Sequence, residues 1–226
     1  MKKLLCLITA VFIVFSSSVS YADMTKNDVI NHFNDISSDR VIRFSDIEKY
    51  PWAQDAITSL ANLGIVNGAG NGLFLPDNTI SRFEFIKMIT GVCGLVNKNA
   101  QSSYIDLDKT HWSYIYVSSA FEMGLLDIYS SKVFNGAAPI TREEIAYISV
   151  GAMLKSGIIK DIQNNPPQFN DTYKMSEYSP TAIATLAFLG VINGRNDGSF
   201  GPKDFATRAE GAKIVYNVLN IAENNF

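Results

Sequence analysis

Cysteine and histidine are scarce, with two of each in 226 residues. Metal sites and nucleophilic catalysis therefore have little to build on. Basic residues are also few: 19 Lys plus Arg stand against 22 Asp plus Glu, for a formal charge of −3 and no basic stripe to neutralise phosphates. A nucleic-acid partner is not expected. No apolar run reaches the roughly 20 residues that cross a bilayer; the run Leu4 to Phe15 covers 12. What is present is a folding composition, 47% hydrophobic and only 18% charged, which excludes a disordered chain.

Lys2 and Lys3 precede that apolar run, and Ser20-Tyr21-Ala22 follows it as a small-x-small cleavage pattern. Residues 1–22 thus read as a secretory signal peptide, removed after Ala22. Cys6 follows Leu4-Leu5 without the small residue of a lipoprotein signal, so no lipid anchor is expected. Removal leaves 226 − 22 = 204 residues, a charge of −5 and Cys93 alone, so no intramolecular disulfide can form. Cys93 falls in the apolar pattern Ile86, Ile89, Cys93 and is expected to be buried as a small hydrophobe.

Self-comparison finds one unit three times. The first carries Phe44-Ser45-Asp46, Trp52-Ala53, Gly64-Ile65-Val66-Asn67-Gly68, Phe74-Leu75-Pro76 and Ser81-Arg82-Phe83-Glu84. The second carries Tyr104-Ile105-Asp106, His111-Trp112, Gly124-Leu125-Leu126, Phe134 and Thr141-Arg142-Glu143-Glu144. The third carries Phe169-Asn170-Asp171, Tyr178, Gly190-Val191-Ile192-Asn193-Gly194, Phe200-Gly201-Pro202 and Thr207-Arg208-Ala209-Glu210. The glycine-to-arginine distance is 18 in every copy, and an aromatic residue stands 12 before each glycine. Units are expected at 44–95, 104–159 and 169–221, joined by polar linkers.

Each unit predicts helix, loop, helix. Trp52, Ala56, Ile57, Leu60 and Leu63 share a helical face, and Gly64 stands where a left-handed C-terminal residue belongs. The Ser/Thr-x-x-Glu sequences at 81–84, 141–144 and 207–210 are capping boxes that mark three helix starts. Short helix pairs cannot bury enough surface alone, so three are expected to share one core in an all-α domain. Residues 23–43 add a leading helix and connector, with Val29, Ile30, Phe33 and Ile36 at helical spacing.

These residues resemble the S-layer homology (SLH) family, whose repeats show a Phe-x-Asp start, a His-Trp-Ala segment, a Gly-Ile-Ile-x-Gly turn and a Thr-Arg-Ala-Glu helix start. Thr207-Arg208-Ala209-Glu210 matches the last letter for letter. The resemblance spans Phe44 to about Leu219. It implies a pseudo-threefold, three-pronged helical domain that anchors exported proteins non-covalently at the bacterial cell wall. The implied partner is secondary cell-wall polysaccharide, often bearing pyruvylated N-acetylmannosamine. The family's recognition arginine falls on Arg82, Arg142 and Arg208, with Asp46, Asp106, Asp171, Trp52, Trp112, Gly68 and Gly194 around it.

Those residue types suit an anionic sugar. Each arginine follows the N-cap, at the positive end of a helix, where a cation costs roughly 0.3–1 kcal/mol. A carboxylate would gain both the guanidinium fork and free first-turn amides. The competing use for the arginines is an ion pair with an aspartate of the same or a neighbouring unit. The aspartates also suit loop structure, and the tryptophans suit a core role ahead of sugar stacking. The loops after Gly64 and Gly190 are rich in Gly and Asn, whereas Asp127 to Lys132 has no glycine. The grooves are therefore expected to be unequal, Arg82 and Arg208 contributing most and Arg142 less.

No cofactor or metal is expected, and no catalysis: there is no Ser, His, Asp set, and Glu143 and Glu144 are adjacent on a helix, pointing different ways. An alternative is a structural or adaptor protein that recruits another exported protein through residues 23–43.

Overall fold

A computed structural model describes residues 42–163, 165 and 168–225. The expected signal peptide and leading helix lie outside the described residues. Six α-helices and no strands are found among them. Unit one contributes α1 (Pro51–Asn62) and α2 (Arg82–Val92), unit two α3 (Tyr114–Glu122) and α4 (Arg142–Lys155), unit three α5 (Pro180–Phe188) and α6 (Arg208–Asn225). A 3-10 turn, Thr172–Lys174, precedes α5.

The local signals act as the sequence indicates. Pro51 and Pro180 stand in the first turns of α1 and α5, where a missing N–H costs nothing. Gly64, Gly124 and Gly190 end the first helices at φ +70°, +72° and +68°. Ser81 and Thr141 form reciprocal capping boxes with Glu84 and Glu144. Thr207 and Glu210 exchange the same two bonds, at 2.8 and 3.2 Å.

Pairing is between units. α3 packs on α2, α5 on α4, and α1 on α6, so each prong joins the second helix of one unit to the first helix of the next. The last prong joins unit three to unit one. The second helices α2, α4 and α6 also contact one another and form the central bundle. Their entry is tied by a ring of backbone bonds: Ile80 N–H donates to Ala206 O at 3.0 Å, Ala206 N–H to Ile140 O at 3.1 Å, and Ile140 N–H to Ile80 O at 3.1 Å. Ile80, Ile140 and Ala206 are fully buried beneath this ring.

The core takes Ala53, Ala56, Ile57, Leu60 and Ala61 from α1, a stripe at i, i+3, i+4, i+7 and i+8. Trp52 lies one step off that stripe. It is 49% exposed and its counterpart Trp112 51%, so the core role expected for both gives way to a place at the surface. Cys93 is buried, and desolvation pushes its thiol up to about 12, which leaves it inert.

Candidate functional site

The three arginines form a closed relay. Arg82 pairs with Glu144 at 2.8 Å, Arg142 with Glu210 at 2.8 Å, and Arg208 with Glu84. Each acceptor is the capping-box glutamate of the following unit, not the aspartate considered from sequence. One oxygen of each glutamate takes the N-cap amide while the other takes the arginine.

Each guanidinium also reaches the next unit's loop. Arg208 donates to Phe74 O at 2.9 Å and Asn67 O at 3.0 Å, Arg142 to Phe200 O at 2.8 Å, and Arg82 to Phe134 O at 3.1 Å. The rings of Phe74 and Phe200 lie under Arg208 and Arg142 at 4.6 and 4.7 Å. Arg142 is the most enclosed; burial lowers its pKa, opposed by Glu210.

These contacts revise the groove assignment. Arg82 belongs with the glycine-free loop of unit two, Arg142 with the loop of unit three, and Arg208 with that of unit one. The arginine expected to face a poor loop, Arg142, faces a glycine-rich one.

The first-turn amides are not free. Arg82 N–H donates to Ala138 O at 3.0 Å and Phe83 N–H to Gly136 O at 2.9 Å. Arg142 and Glu143 N–H do the same to Asp204 and Pro202, and Arg208 and Ala209 N–H to Asn78 and Pro76. With the third amide held by the capping hydroxyl, a bound carboxylate would meet side-chain cations instead of a helix end.

The aspartates are spent on the same loops. Both oxygens of Asp46 accept from Phe74 and Leu75 N–H, those of Asp106 from Phe134 and Asn135 N–H, and those of Asp171 from Phe200 and Gly201 N–H, all at 2.7–2.9 Å. Burial opposes ionisation of Asp171, but these amides outweigh it and hold its carboxyl below the usual range. Gly68 and Gly194 have a packing reason: a Cβ there would fall 2.5 Å from the ring of Phe44 or Phe169.

One groove is open. A cleft of about 350 Å³ is lined by Arg208 of unit three, Asn67, Gly68, Ala69, Glu84 and Lys87 of unit one, and Trp112 of unit two. Sequence reasoning passed over Lys87, five residues after Arg82 on α2. Burial lowers its pKa, while Glu84 opposes the shift. Arg208 uses three of its five N–H donors on protein acceptors, so cationic edges and an exposed indole share one wall-to-wall space.

Unit two departs further. Glu143, almost fully buried, accepts from Ser176 N–H and Oγ–H, Tyr178 Oη–H, Ser179 Oγ–H and Lys203. Its burial disfavours the charge, yet Lys203 and the hydroxyls outweigh that and lower its pKa. Phe83 holds the corresponding place in unit one, packed on His111, Trp112 and Phe134 with ring centroids 4.9–6.1 Å apart.

Three interlocked helical repeats, each lending an arginine to the next, define a closed three-repeat module. A family model described as S-layer homology domain matches residues 43–86, 103–146 and 168–212, and the chain belongs to that family. It is similar to Exoglucanase XynX of Acetivibrio thermocellus, 31% identical over 81% of this chain and 17% of that protein. It is also similar to the Cellulosome-anchoring protein of the same organism, 28% identical over 68% of this chain and 35% of that protein. The S-layer protein of Bacillus licheniformis is 27% identical over 76% of this chain and 19% of that protein. The chain thus spans well under two thirds of each of these relatives. No helix among the described residues is long and apolar enough to cross a membrane.

Proposed function

We propose that this chain is a non-enzymatic module that holds an exported protein at the bacterial cell surface by binding an anionic wall polysaccharide. The observation that carries the reading is the cleft lined together by Arg208, Lys87 and a half-exposed Trp112. Two cations against one carboxylate, Glu84, leave the wall positive within an acidic chain. A pyruvyl ketal supplies the carboxylate to meet them, and the sugar's apolar face suits the indole. The names of the relatives, an S-layer protein and a cellulosome-anchoring protein among them, support surface attachment.

In this reading Arg208, Arg142 and Arg82 differ in use, the tryptophans stack, and Asp46, Asp106, Asp171, Gly68 and Gly194 shape the loops that ligand approaches. Charge-assisted hydrogen bonds contribute about 1.5–3 kcal/mol each, so one good cleft reaches micromolar affinity only with the help of stacking. Co-sedimentation with purified walls tests it. The mature protein is expected to pellet with intact walls and to stay in solution after acid removal of pyruvyl groups. Equal retention on both would refute the anionic-sugar reading.

A further inference from the structure

The residue five places after the loop glycine differs in every unit: Ala69, Tyr129 and Arg195. In each case it belongs to the loop that receives the preceding unit's arginine. At Arg208 the residue is Ala69, exposed, and the cleft is open beside it.

At Arg82 the residue is Tyr129, and its ring lies against the guanidinium, whose side chain keeps 20% of its surface exposed. The guanidinium lies 4.4 Å over Tyr129, not over Phe134 as the pattern of Phe74 and Phe200 would have it. Tyr129 in turn sets its edge on Phe134, centroids 5.4 Å apart at 85°. It is a wedge between the cation and the ring that would otherwise carry it. The displacement shows in Arg82 itself: it reaches the loop carbonyl through an Nη, where Arg142 and Arg208 use Nε, and its Nε is buried with no hydrogen-bond partner among the described residues. The same groove has Tyr147 in the place of Lys87, and Tyr147 meets Tyr178 edge-on at 5.4 Å. Aromatic packing replaces both the space and the second cation.

At Arg142 the residue is Arg195, half exposed and held by Asp204 at 2.6 Å. Lys213 stands in the place of Lys87, and by repeat equivalence Trp52 in the place of Trp112. Cations remain in this groove and no aromatic wedge enters it.

Resting on the proposed function, we infer that this one loop position selects which grooves admit an acidic sugar: Ala69 leaves the Arg208 groove open, and Tyr129 closes the Arg82 groove. The chain then offers unequal sites, with Arg82 given over to structure. This inverts the ranking expected from sequence for Arg82 and Arg142.

The experiment titrates the mature protein with the methyl glycoside of pyruvylated N-acetylmannosamine, following heat and the indole N–H resonances of Trp112 and Trp52. Wild type is expected to bind with a saturable Trp112 shift. Ala69→Tyr is expected to weaken binding tenfold or more and abolish the Trp112 shift while leaving the melting temperature in place. Tyr129→Ala with Tyr147→Lys is expected to add a site. Wild-type affinity and Trp112 shift in Ala69→Tyr, or no added site in a folded Tyr129→Ala, Tyr147→Lys protein, would overturn the selection by this position and leave glycan binding standing. No binding by wild type would overturn the glycan reading, and this inference with it.

Discussion

Gly136 stands where units one and three have Pro76 and Pro202, and the structure gives the reason. A Cβ added there would fall 1.9 Å from the Phe83 ring, and Phe83 is held by His111, Trp112 and Phe134 around it. Gly136→Ala must push an aromatic out of a packed cluster, so a loss of roughly 1–3 kcal/mol is expected in urea unfolding, with the midpoint shifted and the slope kept. Glu143 makes a pH prediction. Its folded pKa is depressed below that of the unfolded chain, so its contribution is full above the unfolded value of about 4.3 and fades as pH falls through the folded value. Glu143→Gln is expected to lower stability at pH 7 by roughly 1–3 kcal/mol and to flatten the stability profile below pH 5. Parallel profiles for wild type and Glu143→Gln would show that the carboxylate's charge is unused.

At the level of elements, the helices were legible because their signals are local. A capping box spans four residues, a glycine terminus needs only its own φ, and a buried stripe needs one helix. The partners of the arginines were not legible, because Arg82 meets Glu144 62 residues on and Arg208 meets Glu84 124 residues back. Repeat spacing is the same whether an arginine serves its own loop or the next one, so sequence could not choose between them. The tryptophans were misread for a different reason. Trp52 was grouped with Ala56 and Ile57, but Ala53 leads the buried stripe and turns Trp52 to the rim. Lys87 could have been found: the fifth position after each arginine reads Lys87, Tyr147, Lys213, and that contrast already singles out the middle unit.

For the molecule as a whole, the exchange of helices makes the three units inseparable. α1 packs on α6, and α2, α4 and α6 share the bundle, so truncation before Arg208 would uncover Ala53, Ile57 and Leu60 as well as the bundle centre. Such a chain is expected to lose its cooperative melt in circular dichroism, and a single isolated unit is expected to be unfolded. An independently melting two-unit fragment would contradict this. Ordinary stacked repeats behave otherwise, since each contacts only its neighbours and the array can be shortened.

The contact between α1 and α6 also has a mechanical side. α1 belongs to the first repeat and α6 to the third, so their prong closes the array by joining its first repeat to its last. A force that separates α1 from α6 would bear on the prong whose helices lead into the Arg208 cleft. Parting the first repeat from the last would therefore disturb the Arg208 cleft while the α2–α3 and α4–α5 prongs keep their own contacts.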